Sequence, residues 1–179
     1  MNYIWENLFR RTDQDQDVLE TLKNTYIFQT LSRKELRFLQ GMVHVRTFRS
    51  GEPIFQQGEV GVGMYIVLKG ALEIHAEKNH DSEVAARSQL VTKLRHGDFF
   101  GELSLVETNS RRSATAVATD DSVLIGFFKP DLLEILERQP HMGVKILLRL
   151  SEVLGRRLKE TTIKVSELKD DLRRLNEKV

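Results

Sequence analysis

Cysteine is absent from this chain of 179 residues, and its absence excludes several kinds of chemistry. Without thiols there is no disulfide, no thiolate metal site, no cysteine-ligated iron–sulfur cluster and no cysteine nucleophile. The sequence also lacks an apolar run of the roughly 18 to 20 residues that a transmembrane helix needs. Its N-terminus has neither the basic start nor the apolar stretch of a signal peptide. We therefore expect a cytoplasmic protein that makes no membrane contact.

No charge of one sign dominates the sequence. Lysine and arginine number 27 against 26 aspartates and glutamates, for a net charge of +1. This balance gives no bulk electrostatic attraction to DNA or to an anionic membrane. The five histidines lack the His-x-His and His-Glu-x-x-His spacings of metal sites, so no metal is expected.

Three zones of different periodicity predict an α+β fold. Residues 1–42 have helical spacing, with an acidic interruption at Asp13–Asp17. A second helix is predicted to begin at Ser32, which has Glu35 at the capping-box distance, and to end at Gly41. The zone therefore predicts a helical segment that precedes the main domain.

The middle zone, residues 43–128, alternates apolar and polar residues in short runs separated by glycines. This pattern predicts many short antiparallel strands, arranged as a β-roll of the jelly-roll or double-stranded β-helix type. The polar stretch Glu77–Ser88 is interpreted as a long hairpin loop, which could serve a partner.

The last zone, residues 129–179, predicts two helices. Pro130 stands where a helix would begin, and a long helix is expected from about His141 to the end. Its apolar residues form a heptad seam: Leu147, Leu154, Leu158, Val165, Leu168, Leu172, Leu175 and Val179. We expect the helix to pack on its own domain before about residue 155. Beyond that point we expect a coiled coil, most simply a parallel homodimer.

The residues with the clearest chemistry lie between Gly101 and Ala114. Gly101 lets backbone approach a ligand closely, and Glu102 can accept hydrogen bonds from a sugar hydroxyl. Arg112 has the forked cation that matches a phosphate, and Ser113 adds a hydroxyl beside it. An acid for a sugar and an arginine for a phosphodiester together form a nucleotide-reading pair.

Gly101-Glu102-Leu103 followed by Arg112-Ser113-Ala114 resembles the phosphate-binding cassette of the cyclic nucleotide-binding domain family. The ten-residue step from the glutamate to the arginine is that of the bacterial branch, which contains the catabolite activator proteins and Crp/Fnr regulators. Upstream, Gly51–Phe55, Gly58-Glu59 and Met64–Gly70 resemble the glycines and strands of that family's β-roll.

The resemblance implies a role for each residue of the cassette. Glu102 would accept a hydrogen bond from the ribose 2′-hydroxyl, and Arg112 would pair with the phosphate oxygens, helped by Ser113. The backbone amides of Gly101–Leu103 would lie at the N-terminus of a short helix and face the anion. Thr161 and Thr162 stand in register with the positions that read the base, and the partner subunit of a dimer could supply one of them. The implied ligand-binding residues are Gly101, Glu102, Leu103, Arg112, Ser113, Ala114, Thr161 and Thr162.

The resemblance implies a regulatory sensor without catalytic activity, in which ligand binding changes the geometry of the last helix. Ser113 matches the cAMP readers of the bacterial branch, so cAMP is the expected ligand and cGMP the less favoured one. No cofactor is implied. Arg111 is interpreted as solvated surface, and Ser104 as a small residue lining the core.

Other functions stay open at this point. The chain could be the sensor part of a transcription regulator or of a larger signalling protein. The heptads run to Val179, so no DNA-binding element is expected within this chain. It could instead be a degenerate module that only dimerises, although Glu102 and Arg112 are both present. A cupin-type enzyme needs clustered histidines on its strands, and the strand expected at Met64–Leu68 has none.

Overall fold

The computed structural model describes residues 3–77 and 88–176 of the chain, with side chains described over 14–76 and 89–176. Four α-helices lie in this part of the chain: α1 Tyr3–Asn24, α2 Arg33–Gln40, α3 Lys129–Arg138 and α4 Pro140–Asn176. Two short 3-10 helices cover Tyr26–Phe28 and Glu102–Leu105. The strands are β1 His44–Phe48, β2 Pro53–Phe55, β3 Gly63–Lys69, β4 Ala71–Glu77, β5 Ser88–Arg95, β6 Phe99–Phe100, β7 Thr115–Ala118 and β8 Ser122–Phe128.

The strands form two antiparallel four-stranded sheets that face each other. One sheet has the order β1-β8-β3-β6 and the other the order β2-β7-β4-β5. The core between them is built from residues of both sheets: Tyr65, Val67, Leu72, Phe100, Ala116, Ala118 and Leu124. The predicted α+β class with an antiparallel β-roll is confirmed.

The helices cover the outer face of the first sheet. Because neighbouring side chains of a strand point to opposite faces, Met64 and Ile66 of β3 pack against the helices while Tyr65 and Val67 face the second sheet. This two-sided burial explains why the sequence of β3 is an almost continuous apolar run. The first sheet therefore lies between the second sheet and a layer of helices.

The interruption predicted at Asp13–Asp17 is wrong, because α1 continues through it to Asn24. This stretch contains neither glycine nor proline, and aspartate disfavours a helix by less than about 1 kcal/mol per residue. The described residues 14–17 are exposed, whereas Val18 and Leu22 of the next turns are buried and hold the helix on the core. Tertiary packing thus outweighs the weak local preference.

The predicted start and end of the second helix are confirmed. The Ser32 backbone N–H donates to Glu35 Oε2 at 2.6 Å, and the Glu35 N–H donates to Ser32 Oγ at 3.3 Å, which completes a capping box. Gly41 is the C-cap residue. Its φ of −73° is one that any residue can adopt, so the glycine here is not required by backbone conformation.

The first half of α4 is held on the helical layer. Met142, Ile146, Leu150 and Val153 are buried, and every described residue from Arg156 onward is exposed. The Lys145 ammonium contacts both oxygens of Glu35 on α2, at 2.8 and 2.9 Å. The α4 helix therefore changes from a packed to an uncovered element at about residue 155.

Three expectations are not settled by the described residues. Most of the hairpin loop interpreted at Glu77–Ser88 lies outside them, although Glu77 and Ser88 pair where β4 and β5 meet. Val179, the last residue of the seam, also lies outside them. The division into segments 1–42, 43–128 and 129–179 stays a prediction. Among the described residues, no helix is long and apolar enough to cross a membrane.

Candidate functional site

A cavity of about 250 Å³ lies between the segment after β6 and strand β5. Five of the predicted ligand-binding residues line it, namely Gly101, Leu103, Arg112, Ser113 and Ala114. Val91, Thr92 and Leu94 of β5 also line it, and Phe55 and Arg157 are among the remaining lining residues. Every cassette residue predicted to bind the ligand except Glu102 thus lines one concave site.

Gly101 is required by the geometry of this turn. Its φ of +76° is in the left-handed region, which side chains other than glycine rarely adopt. A Cβ at this position would lie 2.4 Å from Arg112 Nη1 and 3.2 Å from the Gly63 carbonyl oxygen. Gly101 therefore allows the chain to turn into the short helix Glu102–Leu105 while the arginine lies against its backbone.

Arg112 is buried at the cavity wall, with 7% of its surface exposed. Its Nη2 donates to the Gly63 carbonyl at 2.8 Å, and its Nη1 donates to Ser104 Oγ at 3.1 Å and to the Gly101 carbonyl at 3.3 Å. The guanidinium carbon lies 4.0 Å from the centroid of the Phe55 ring. Nε is buried and has no hydrogen-bond partner among the described residues.

The electrostatic state of Arg112 favours an incoming anion. Burial lowers the pKa of the Arg112 guanidinium below its usual value, although Tyr65, Glu59 and Glu102 nearby act in the opposite direction. No described carboxylate forms an ion pair with this arginine. A phosphate would supply both the missing countercharge and the missing acceptor for Nε.

Glu102 is buried behind Arg157 of α4. Only 4% of Glu102 is exposed, and its Oε1 accepts a hydrogen bond from Arg157 Nη1 at 2.5 Å. Arg157 also lies over the Phe99 ring, at 5.5 Å from the centroid. The other carboxylate oxygen, Oε2, is buried and has no partner among the described residues. One oxygen of Glu102 is thus left for a hydroxyl donor.

Thr161 and Thr162 are not brought to the cavity in this single chain. Both are exposed, and neither is among the described residues that line it. Their hydroxyls donate to backbone carbonyls one helical turn earlier, those of Arg157 and Leu158, at 2.8 and 2.9 Å. A contact between these threonines and a base stays a prediction about an assembled dimer.

Sequence reasoning missed the roles of Phe55 and Arg157. Phe55 belongs to the Gly51–Phe55 motif of the predicted β-roll and Arg157 lies one turn before Thr161, but neither was assigned to the site. Arg111, interpreted as solvated surface, is exposed yet lines the cavity and donates to the Gly58 carbonyl at 2.8 Å. Ser104 is buried as expected, and it also accepts a hydrogen bond from Arg112.

Two buried groups of opposite kind beside the cavity lack a hydrogen-bond partner among the described residues, a carboxylate oxygen of Glu102 and the Nε–H of Arg112. Buried polar atoms without partners are uncommon in native proteins and call for an explanation. A ligand that carries both a hydroxyl and a phosphate would satisfy both. No group of histidine, aspartate and glutamate residues in the described part of the chain is arranged to hold a metal ion.

Comparisons with known proteins agree with this chemistry. The family model described as the cyclic nucleotide-binding domain matches residues 45–139, just over half of the chain. The chain is 29% identical over 147 residues to the cyclic AMP receptor protein of Thermus thermophilus, which covers 82% of this chain and 63% of that protein. It is 32% identical over 143 residues to a cAMP-dependent protein kinase regulatory subunit of Mycosarcoma maydis, with 78% of this chain and 24% of that protein covered.

A solved structure shows the same architecture. The crystal structure of the Thermus thermophilus catabolite activator protein matches with a TM-score of 0.69 at 29% identity, over 79% of this chain and 62% of that one. The chain spans less than two thirds of the length of each of these relatives. On the family match, the cassette and the fold, this chain belongs to the cyclic nucleotide-binding domain family.

Proposed function

We propose that this chain is a regulatory sensor that binds cAMP in the cavity beside Arg112 and has no catalytic activity. The observation that carries the proposal is the pair of unmet buried groups beside this cavity, Arg112 Nε in its wall and Glu102 Oε2 between the lining residues Gly101 and Leu103. The ribose 2′-hydroxyl would donate to the first, and a phosphate oxygen would accept from the second. Ser113, beside Arg112, would add a hydroxyl to the phosphate contacts.

The choice of cAMP over cGMP rests on two points. Ser113 follows the cassette arginine, as expected for cAMP readers of the bacterial branch. The two relatives described above carry cyclic AMP in their names. The cavity wall of Val91 and Leu94 is apolar, so it suits a purine ring but does not distinguish adenine from guanine. A preference for cGMP would therefore change the ligand but keep the site.

The output of the sensor would pass through α4, because Arg157 connects that helix directly to the ribose-binding carboxylate. A ligand changes a conformational equilibrium only if it binds one state better than the other. A ribose hydroxyl at Glu102 changes the partners of the same carboxylate that holds Arg157. The position of α4 would in this way depend on the occupancy of the cavity. We place the sensor in the cytoplasm. The alternative is that it is the ligand-binding part of a longer transcription regulator or signalling protein.

A homodimer through the second half of α4 is part of the proposal. The apolar side chains of this half are uncovered, with exposed fractions of 69% at Leu158, 62% at Leu168 and 60% at Leu172. They follow the heptad spacing that a two-stranded coiled coil buries. We expect Leu168→Glu to give a monomer by sedimentation velocity, whereas Leu133→Glu on α3 should leave the dimer intact. A wild-type monomer at high concentration would contradict the dimer and leave the sensor proposal standing.

The ligand is tested by calorimetry on protein freed of nucleotide by unfolding and refolding. We expect saturable binding of cAMP, weaker binding of cGMP and none of 5′-AMP. Arg112→Ala should weaken binding at least about tenfold, because hydrogen bonds to charged groups contribute about 1.5 to 3 kcal/mol. Arg138→Ala, which removes an exposed arginine from α3, is the matched control. Absence of heat and of thermal stabilisation with both cyclic nucleotides would refute the sensor and leave a dimerisation module.

A further inference from the structure

The guanidinium of Arg112 rests on the ring of Phe55. The distance of 4.0 Å from the guanidinium carbon to the ring centroid is the shortest of the described cation–aromatic contacts. Phe55 is the last residue of β2, and it pairs with Ala116 of β7. Its own ring is braced by Phe100 and Tyr65, with centroids 5.6 and 6.4 Å away. The surface beneath the arginine is therefore fixed by both sheets.

We propose that Phe55 is a positioning residue for the phosphate site, which holds the Arg112 cation in its binding orientation before the ligand arrives. The inference rests on the proposed function, because it concerns the same cavity. It adds that affinity depends on the electron density of the Phe55 ring face, and not only on the volume of the side chain.

The physical reason lies in the cost of burying Arg112. Three of its N–H groups have protein acceptors, but Nε–H has none and no described carboxylate pairs with the cation. A desolvated cation over an aromatic face is stabilised by the ring quadrupole. Without that face, the empty protein would favour conformations in which the arginine turns toward water. Apparent affinity falls in proportion to the competent fraction that remains.

The geometry also shows which donors are kept for the ligand. Nη1 is committed to the Gly101 and Ser104 oxygens, and one hydrogen of Nη2 to the Gly63 carbonyl. Nε–H and the second hydrogen of Nη2 remain. Phe55 has no hydrogen-bonding atom, so its contact with the guanidinium carbon at 4.0 Å takes up neither of these donors. Phe55 therefore supports the cation without competing with a phosphate.

The test replaces Phe55 with phenylalanines bearing one, two and three ring fluorines, which withdraw electron density from the ring face with little change of shape. We expect the dissociation constant for cAMP to rise stepwise with fluorine number, to a total of about tenfold to thirtyfold. Phe55→Leu should weaken cAMP binding by a similar factor, whereas Phe55→Tyr should bind cAMP about as tightly as the wild type. The same fluorinated series at Phe48, which packs in the same core but does not line the cavity, is the control.

The outcomes separate this inference from the function on which it rests. Tight cAMP binding by the wild type, with a flat response across the Phe55 series, would overturn the inference and keep the sensor. Equal effects at Phe55 and Phe48 would also overturn it, because they would indicate general core damage. Failure of the wild type to bind either cyclic nucleotide would refute the proposed function itself, and the inference with it. Unfolding temperatures measured without ligand show whether each variant is folded.

Discussion

The ion pair between Glu102 and Arg157 provides a sharp test of how α4 is connected to the cassette. The Glu102 side chain is 5% exposed, and Oε1 receives its hydrogen bond from Arg157 alone among the described residues. Breaking a fully buried pair costs about 3 to 5 kcal/mol, whereas an exposed pair contributes about 1 kcal/mol or less. The Arg157 side chain is 49% exposed, so water screens this pair from one side. We expect a coupling free energy of about 1.5 kcal/mol.

The measurement is a double-mutant cycle on the free energy of unfolding. Arg157→Gln, Glu102→Gln and the double variant are unfolded in urea and followed by circular dichroism. Arg157→Gln should destabilise the wild type by more than it destabilises Glu102→Gln, because only the wild type is left with an unpaired buried carboxylate. Lys159→Gln removes the same charge from an exposed position of the same helix and should show no coupling with Glu102.

A coupling free energy below about 0.5 kcal/mol would refute this reasoning, since it would equal that of an ordinary surface pair. In that case α4 would have no energetic connection to the Glu102 carboxylate through Arg157. The output through the helix would then need another route, and the calorimetric test of ligand binding would be unaffected.

Two further substitutions test the turn and the helical layer. Gly101→Ala should lower the free energy of unfolding by about 1 kcal/mol or more and displace Arg112, so cAMP binding measured by calorimetry should weaken. The control is Gly97→Ala, which is also at positive φ but has open space around it. It should lower the free energy of unfolding and leave cAMP binding unchanged. Burial raises the pKa of Glu35, but hydrogen bonds from Lys145 and Ser32 outweigh it and lower the value from 4.5 to about 2. Lys145→Met should therefore lower the free energy of unfolding in urea by about 1 kcal/mol near neutral pH. The difference in that free energy between the variant and the wild type should close as pH falls from about 4.5 to about 2. A difference that persists at pH 2 would assign the loss to packing.

The site residues that could be predicted from the sequence are those that lie in one continuous segment of the chain. Gly101, Glu102 and Arg112 lie within twelve residues, so their types and spacing define the cassette without knowledge of the fold. The β-roll was likewise predictable, because period-two alternation with regular glycines is a local property of the chain. Local patterns were sufficient wherever neighbours in sequence are also neighbours in space.

The roles of Phe55 and Arg157 depend on tertiary contacts that no local pattern contains. Phe55 reaches Arg112 across 57 positions of sequence, and Arg157 reaches Glu102 across 55. From sequence alone, a phenylalanine at the end of a strand is interpreted as a core residue, and an arginine in a long helix as a solvated surface residue. The polar run at Asp13–Asp17 led to a wrong prediction of a break in the helix, because burial of Val18 in the next turn holds this stretch helical. In each of these cases long-range packing determined the outcome.

The arrangement of contacts along α4 gives our signalling proposal a mechanical basis. The helix is anchored at Lys145, meets the cassette at Arg157, and then continues uncovered to Asn176. At about 1.5 Å per residue, the part beyond Arg157 is about 28 Å long. A tilt of about 5° at the cassette would move the far end by roughly 2.5 Å, a distance comparable with the helix shifts that accompany allosteric transitions. A change in the partners of a single carboxylate, that of Glu102, could thus displace the far end of α4 sideways.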